Sequence, residues 1–135
     1  MKQIEIELPA FGRGFHLITK IIINRLGELP QTGLINIFLQ HTSAGLAINE
    51  NADLDVREDF ESFFNQWVSE DCMCYKHDCE GADDMPAHIK SSLMGQSLII
   101  PIVRGKLGLG TWQGIYLCEF RNKAFNRKLI VTIYA

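Results

Sequence analysis

The stretch Leu34-Ile35-Asn36-Ile37-Phe38-Leu39-Gln40, followed by His41-Thr42-Ser43-Ala44-Gly45 and Leu46-Ala47-Ile48, decides the fold class. Ile35, Ile37 and Leu39 share one face of a strand, and His41 continues that face if the strand is unbroken. Thr42 to Gly45 reads as a break, after which a short strand resumes at Leu46. Asn49 to Asp53 is a polar loop, and a helix follows at once. Asp53 can cap it, and Val56, Phe60, Phe63, Phe64 and Trp67 fall at helical spacing. The aromatic stripe is read as core packing rather than a ligand box.

Upstream, Ile4, Ile6 and Leu8 alternate with Glu5 and Glu7, the pattern of a half-buried strand. Pro9 to Gly14 is a turn, and Thr19 is the expected N-cap of a short helix through Leu26 that stops near Gly27. The β-branched run Ile21-Ile22-Ile23 leaves a strand open as the alternative there. Downstream, Pro86 suits the first turn of another helix, which Gly95 closes. Ser97 to Val103 is a strand that Pro101 places at an edge or a bulge. Leu107 to Phe120 predicts one long strand, and Arg121 to Arg127 a hairpin loop to the last strand, Lys128 to Tyr134. Gly108, Gly110 and Gly114 share a face of the long strand, marking either tight packing within the sheet or close approach by a ligand or subunit. Strands outnumber helices and do not alternate with them. The expectation is a single α+β domain over residues 1–135, sandwich-like and compact, with a mostly antiparallel sheet and two to three helices.

The net charge is -3 and no basic run occurs, which argues against nucleic acid as a partner. No apolar run is long enough to span a bilayer, and the charged start Met1-Lys2-Gln3-Ile4-Glu5 lacks the apolar core of a signal peptide. A cytoplasmic protein with no membrane contact is expected. Its four cysteines are then read as thiols, with Cys118 a small buried hydrophobe.

Polar chemistry concentrates in His77-Asp78-Cys79-Glu80-Gly81-Ala82-Asp83-Asp84-Met85-Pro86-Ala87-His88. His77 and His88 flank this acidic loop, with His88 in the first turn of its helix. His41 can reach them from a strand end, and three histidines with an open fourth position make a catalytic type of zinc site. Asp78, Glu80, Asp83 and Asp84 then serve as outer acceptors, or hold magnesium through waters. A rival ligand set is Cys72-x-Cys74-x-x-His77-x-Cys79, tighter than the usual structural zinc spacing. His16 carries no such context and reads as an ordinary core or surface histidine. His41-Thr42-Ser43, the start of the later helix, Lys106 and Arg121 are anion-binding candidates, which points to a phosphorylated small molecule. Ser43 lacks the G-x-S-x-G context of a hydrolase nucleophile.

Three motifs carry a resemblance. They are His41-Thr42-Ser43-Ala44-Gly45-Leu46-Ala47-Ile48-Asn49-Glu50-Asn51-Ala52-Asp53, the stretch from His77 to Lys90, and Gly105 with Leu107 to Glu119. Together they resemble the YjbQ family, also called the secondary thiamine-phosphate synthase family, over essentially the whole chain. The resemblance implies a trimeric α+β sandwich with ligand sites near subunit contacts, and a weak thiamine-phosphate synthase activity that releases pyrophosphate. It also implies that Thr42, Ser43, Asn49, Glu50, Thr111 and Gln113 bind substrate, joined by Lys106 as the anion-binding candidate read from the residues, and that Ser43, Asp84, Glu119 and Arg121 take part in catalysis. His41, His77 and His88 would hold a divalent metal, zinc or magnesium, with Glu119 or a histidine managing protons. The alternatives are a non-catalytic trimeric module that binds metal or a phosphometabolite, and a metal-assisted hydrolase. Two positions depart from the family pattern: relatives carry His where Phe120 stands and Pro where Leu54 stands.

Overall fold

The computed structural model describes residues 1–135. In chain order the elements are β1 (Lys2–Glu7), β2 (Gly14–Leu17), α1 (Thr19–Leu26), β3 (Thr32–Leu39), β4 (Ala44–Glu50), α2 (Leu54–Trp67), α3 (Asp84–Met94), β5 (Ser97–Val103), β6 (Lys106–Leu107), β7 (Gln113–Glu119) and β8 (Lys128–Tyr134). They form a five-stranded sheet in the order β1-β8-β3-β5-β6 and a three-stranded sheet in the order β2-β7-β4. Every pairing is antiparallel, so the chain is an α+β sandwich. No helix is long and apolar enough to cross a membrane.

The alternation at Ile35, Ile37 and Leu39 does what period two requires. These side chains are buried against Ile100, Ile102, Leu129 and Val131 from their own sheet and against Leu46, Ile115 and Leu117 from the other. β7 is buried on both faces. Ile115 and Leu117 join the core between the sheets, while Tyr116 and Cys118 join a second cluster with Phe15, Phe64 and Phe120. That second cluster lies where α2 packs on β2 and α3 packs on β4. Gly45 permits the close approach of α3: a Cβ there would stand 2.8 Å from the Met94 Cβ. The outer face of the five-stranded sheet is covered by no helix and exposes Leu34, Phe38, Ile99, Val103 and Tyr134.

Several local expectations change. Phe15-His16-Leu17 is a strand, β2, paired with β7 from Cys118 to Tyr116. Thr19 begins α1 rather than capping it, and its hydroxyl accepts a hydrogen bond from the Ile115 N–H at 2.8 Å. β4 runs on through Asn49 to Glu50. The long strand from Leu107 is split: β6 ends at Leu107 and β7 begins at Gln113 in the other sheet. Arg121 to Arg127 is accordingly a crossover between sheets, not a hairpin. Gly114 is approached by this chain itself, since a Cβ there would lie 2.5 Å from Leu17 Cδ2. The aromatic stripe of α2 is only partly core: Phe64 is buried, but Phe63 and Trp67 are 58% and 60% exposed. Cys72 and Cys74, in the turn segment between α2 and α3, are joined as a disulfide, against the expectation of thiols. Cys118 is buried, and burial pushes its thiol pKa up.

Candidate metal centre

Helix α3 starts at Asp84, two residues before Pro86, and this register builds the site. Asp84 and His88 stand one turn apart on the same face. The loop before α3 returns His77 to the same point. His77 Nε2 lies 2.6 Å and His88 Nε2 3.2 Å from Asp84 Oδ2. The donor atoms of the three residues are all within 4.8 Å of one another. His88 Nδ1 lies 2.8 Å from the Thr42 carbonyl oxygen, which can only accept. Nδ1 therefore carries the proton, and in the neutral ring the Nε2 lone pair is left toward Asp84.

Arg121 holds the carboxylates in place. Its Nη1 is 2.5 Å from Asp84 Oδ1, its Nε is 2.9 Å from Asp83 Oδ2, and its Nη2 is 2.9 Å from the Glu80 carbonyl oxygen. The Asn122 N–H also donates to Asp83 Oδ2, at 2.8 Å. Burial pushes the Asp84 carboxyl pKa up, but the His77 hydrogen bond and the Arg121 charge outweigh it and hold that pKa below the ordinary value. Asp83 is likewise held low, by the Asn122 and Arg121 hydrogen bonds against burial. Two imidazole nitrogens and one carboxylate oxygen are zinc donors, and in a zinc tetrahedron neighbouring ligand atoms are about 3.4 Å apart. The His88–Asp84 separation of 3.2 Å is close to that spacing, the His77–Asp84 separation of 2.6 Å is shorter, and the two imidazole nitrogens lie within 4.8 Å of each other.

The sequence-expected ligand His41 is elsewhere. The Lys128 backbone N–H, which can only donate, lies 2.8 Å from His41 Nε2. That lone pair is used, and Nδ1 holds the ring proton. Burial and the charges of Arg127 and Lys128 lower the His41 pKa. Asp84 takes the third place in the cluster instead, and no cysteine joins it.

Glu119 is fully buried in a two-point pair with Arg127: Nε to Oε1 at 2.8 Å and Nη2 to Oε2 at 2.6 Å. Arg127 Nη2 also donates to Ser43 Oγ at 3.0 Å, and the guanidinium carbon lies 4.5 Å from the Phe125 ring centroid. This geometry places Glu119 and Ser43 together in a buried clamp around Arg127. Arg127 escapes a sequence reading because nothing around it suggests burial. Phe120, where the resemblance leads one to expect histidine, packs with Phe15, Phe64 and Ala87 under α2 and is not part of the His77-Asp84-His88 group.

The other expected binding residues divide by strand register. Ala44 pairs with Glu119 at one end of the β4–β7 ladder, and Glu50 with Gln113 at the other. Six residues of strand put these ends about 20 Å apart. Thr42, Ser43 and Arg121 lie at the metal-cluster end; Asn49, Glu50, Thr111 and Gln113 lie at the far end. There Gln113 Oε1 accepts from the Gly110 N–H at 2.8 Å, and Glu50 Oε2 from the Asp53 N–H at 3.3 Å. Lys106 pairs with Val103, at the end of β5 remote from Gln96. Beside His88 is an open cleft of about 500 Å³, into which Thr42, His41, Ser91, Ser92 and Gln96 also face.

The family model described as UPF0047 protein YjbQ-like matches residues 2–135. The chain belongs to the YjbQ family. It is 49% identical over 133 residues to UPF0047 protein YjbQ of Escherichia coli O157:H7, covering 97% of this chain and 96% of the relative. The corresponding Salmonella typhimurium protein is 51% identical over 133 residues, with the same coverage, 97% and 96%. Among solved structures, an uncharacterised YjbQ/UPF0047 family protein from Clostridium acetobutylicum is 41% identical with a TM-score of 0.83, covering 96% of this chain and 98% of its own. A conserved hypothetical protein from Thermus thermophilus is 31% identical with a TM-score of 0.84, again covering 96% and 98%. The YjbQ sandwich therefore extends across this whole chain.

Proposed function

We propose that this YjbQ-family protein binds a divalent metal through His77, Asp84 and His88 and uses it on a phosphorylated small molecule. The observation that carries this is the convergence of two imidazole nitrogens and a carboxylate oxygen within 4.8 Å. Two nitrogen donors favour zinc over magnesium, which prefers oxygen. Bound zinc supplies Lewis acidity toward a phosphoryl oxygen. The chain's own residues orient the site: Thr42 fixes the ring of His88, and Arg121 holds Asp84 while Asp83 holds Arg121. The adjoining cleft is in the size range of small-molecule sites.

The resemblance supports thiamine-phosphate synthase-like transfer as the reaction to test first. A coupled pyrophosphate-release assay with hydroxymethylpyrimidine diphosphate and thiazole phosphate should show turnover that chelator removes and zinc restores. Absence of turnover overturns the enzymatic reading, and turnover unaffected by chelator overturns the role of the metal in it. One observation favours the second reading, a binding module without catalysis. Arg121 and Glu119, the expected cation and proton carrier, are both spent on internal ion pairs. Calorimetry should then show saturable binding of zinc and of a phosphometabolite in the absence of turnover.

We also propose that the protein is a homotrimer, assembled through the apolar outer face of the five-stranded sheet. Leu34, Phe38, Ile99, Val103 and Tyr134 support this, since such a continuous exposed patch marks an interface.

A further inference from the structure

A second cavity, separate from the histidine cluster, lies between α2 and the three-stranded sheet. It has a volume of about 190 Å³, and seven of the nine residues around it are apolar. Phe15, Phe60 and Tyr116 contribute aromatic surface, and Ala47 leaves the space open. It shares no residue with the cleft beside His88. An apolar cavity of about 150 Å³ holds one benzene ring, so this one has room for a ring and a small polar substituent.

The polar groups say which substituent. Arg57 is half-buried at this cavity and also borders the open cleft over Arg13 and His16, so it stands where the cavity meets solvent. Its Nε donates to the Tyr116 hydroxyl at 3.1 Å, and its guanidinium carbon is 5.7 Å from the Tyr116 ring centroid. The Tyr116 hydroxyl in turn donates to the Glu50 carbonyl, which fixes the phenol as the acceptor for Arg57. The guanidinium is thus oriented, yet its two Nη groups have no acceptor in the chain. Asp55, Glu58, Asp59 and Glu61 share its helix, but none lies within ion-pair distance of it. Asn49, also at the cavity, accepts the Glu50 N–H on Oδ1 at 2.7 Å and leaves its Nδ2 hydrogens unpartnered. An oriented guanidinium with two free N–H groups is a fork for a carboxylate.

We propose that this cavity is a ligand site for a monocyclic aromatic carboxylate, with the ring among Phe15, Phe60 and Tyr116 and the carboxylate on the Nη groups of Arg57. A phosphate ester is disfavoured, because one guanidinium and one amide are the only donors at hand and no lysine lines the space. The site does not depend on the metal centre.

The test is an NMR titration of the full-length protein with benzoate as the probe and benzyl alcohol as its neutral counterpart. Benzoate should perturb amides of α2 and of β7 around Tyr116, saturably. Arg57→Gln should weaken benzoate by about tenfold or more, the weight of a charge-assisted pair, and leave benzyl alcohol unchanged. Ala47→Leu fills the space and should abolish both, with circular dichroism and amide dispersion reporting that the fold is kept. His88→Ala and chelator treatment should leave benzoate binding intact, which separates this site from the metal centre. The proposal is overturned if wild-type protein shows no saturable response to millimolar benzoate. It is equally overturned if Arg57→Gln binds benzoate as wild type does, or if the response moves to His88 and disappears with chelator.

Discussion

Asp84 Oδ2 lies 3.2 Å from His88 Nε2, one turn along α3, and the same oxygen lies 2.6 Å from His77. A single buried carboxylate oxygen therefore joins a loop histidine to a helix histidine. The His77→Ala, Asp84→Asn and His88→Ala variants should each lose bound metal, whereas His41→Ala should retain it, because its Nε2 is already taken by the Lys128 N–H. Elemental analysis of protein purified without chelator reads this directly. Unchanged metal in all three cluster variants would sink the assignment.

With zinc held as proposed by His77, Asp84 and His88, Arg121 would act on it through its bond to Asp84. Arg121→Ala should lower zinc affinity by about 10–100-fold, the usual weight of an outer contact on a metal ligand. Competition against a chromophoric chelator measures it, and an unchanged affinity would refute the positioning role.

Acid should weaken the fold through the same pair. Asp83 and Asp84 are both held below the ordinary carboxyl value of 3.8, so the unfolded chain binds protons more readily than the folded one. Their contribution is complete above pH 3.8 and is lost as pH falls below it. Arg121→Ala should move the acid-unfolding midpoint to higher pH, measured by circular dichroism.

His41 makes a different pH window. Its folded pKa is depressed below 6.5 by burial and by Arg127 and Lys128, so protonation is easier in the unfolded chain. Stability should be full above pH 6.5 and decline as pH falls from 6.5 toward the lowered value. Urea titrations across pH 5 to 7.5 should show that slope flattened in His41→Gln.

The Glu119–Arg127 pair is buried on both sides. Arg127→Ala strands a buried carboxylate and should cost about 3–5 kcal/mol in denaturant unfolding. The double variant Glu119→Gln, Arg127→Met should cost less than the sum of the single changes.

Assembly is tested on the uncovered sheet face. Phe38→Lys with Ile99→Lys should convert a trimer to monomers in multi-angle light scattering, with the circular dichroism spectrum retained. A wild-type monomer, or a trimer untouched by these changes, would remove the proposed interface.

Residues with a strong local period are legible in the chain itself. Ile35, Ile37 and Leu39 bury as their alternation requires, and the helix after Asp53 begins with the Asp53 carboxylate accepting the Asp55 N–H at 2.9 Å. Where a rule is local but two outcomes satisfy it, the chain alone is ambiguous. Pro86 fits a helix start at several registers, and only a start at or before Asp84 puts that carboxylate and His88 one helical turn apart. The stretch from Leu107 to Phe120 intersperses strand-forming residues with glycines, and its two ends belong to different sheets, a choice that alternation along the chain does not reveal.

The α+β class, the family, the alternating core strands and the concentration of histidines and carboxylates between His77 and His88 are all written in the amino-acid sequence. They rest on short-range periodicity and on motifs contiguous in the chain. Which polar groups meet is settled by the folded arrangement alone. It chose Asp84 over His41 for the cluster, joined Glu119 to Arg127, sent Asn49 and Gln113 to the opposite end of the ladder, and left Arg57 without an acid. Such partnerships depend on sheet register and on which lone pairs the backbone has already claimed, and neither quantity is local to any stretch of the chain.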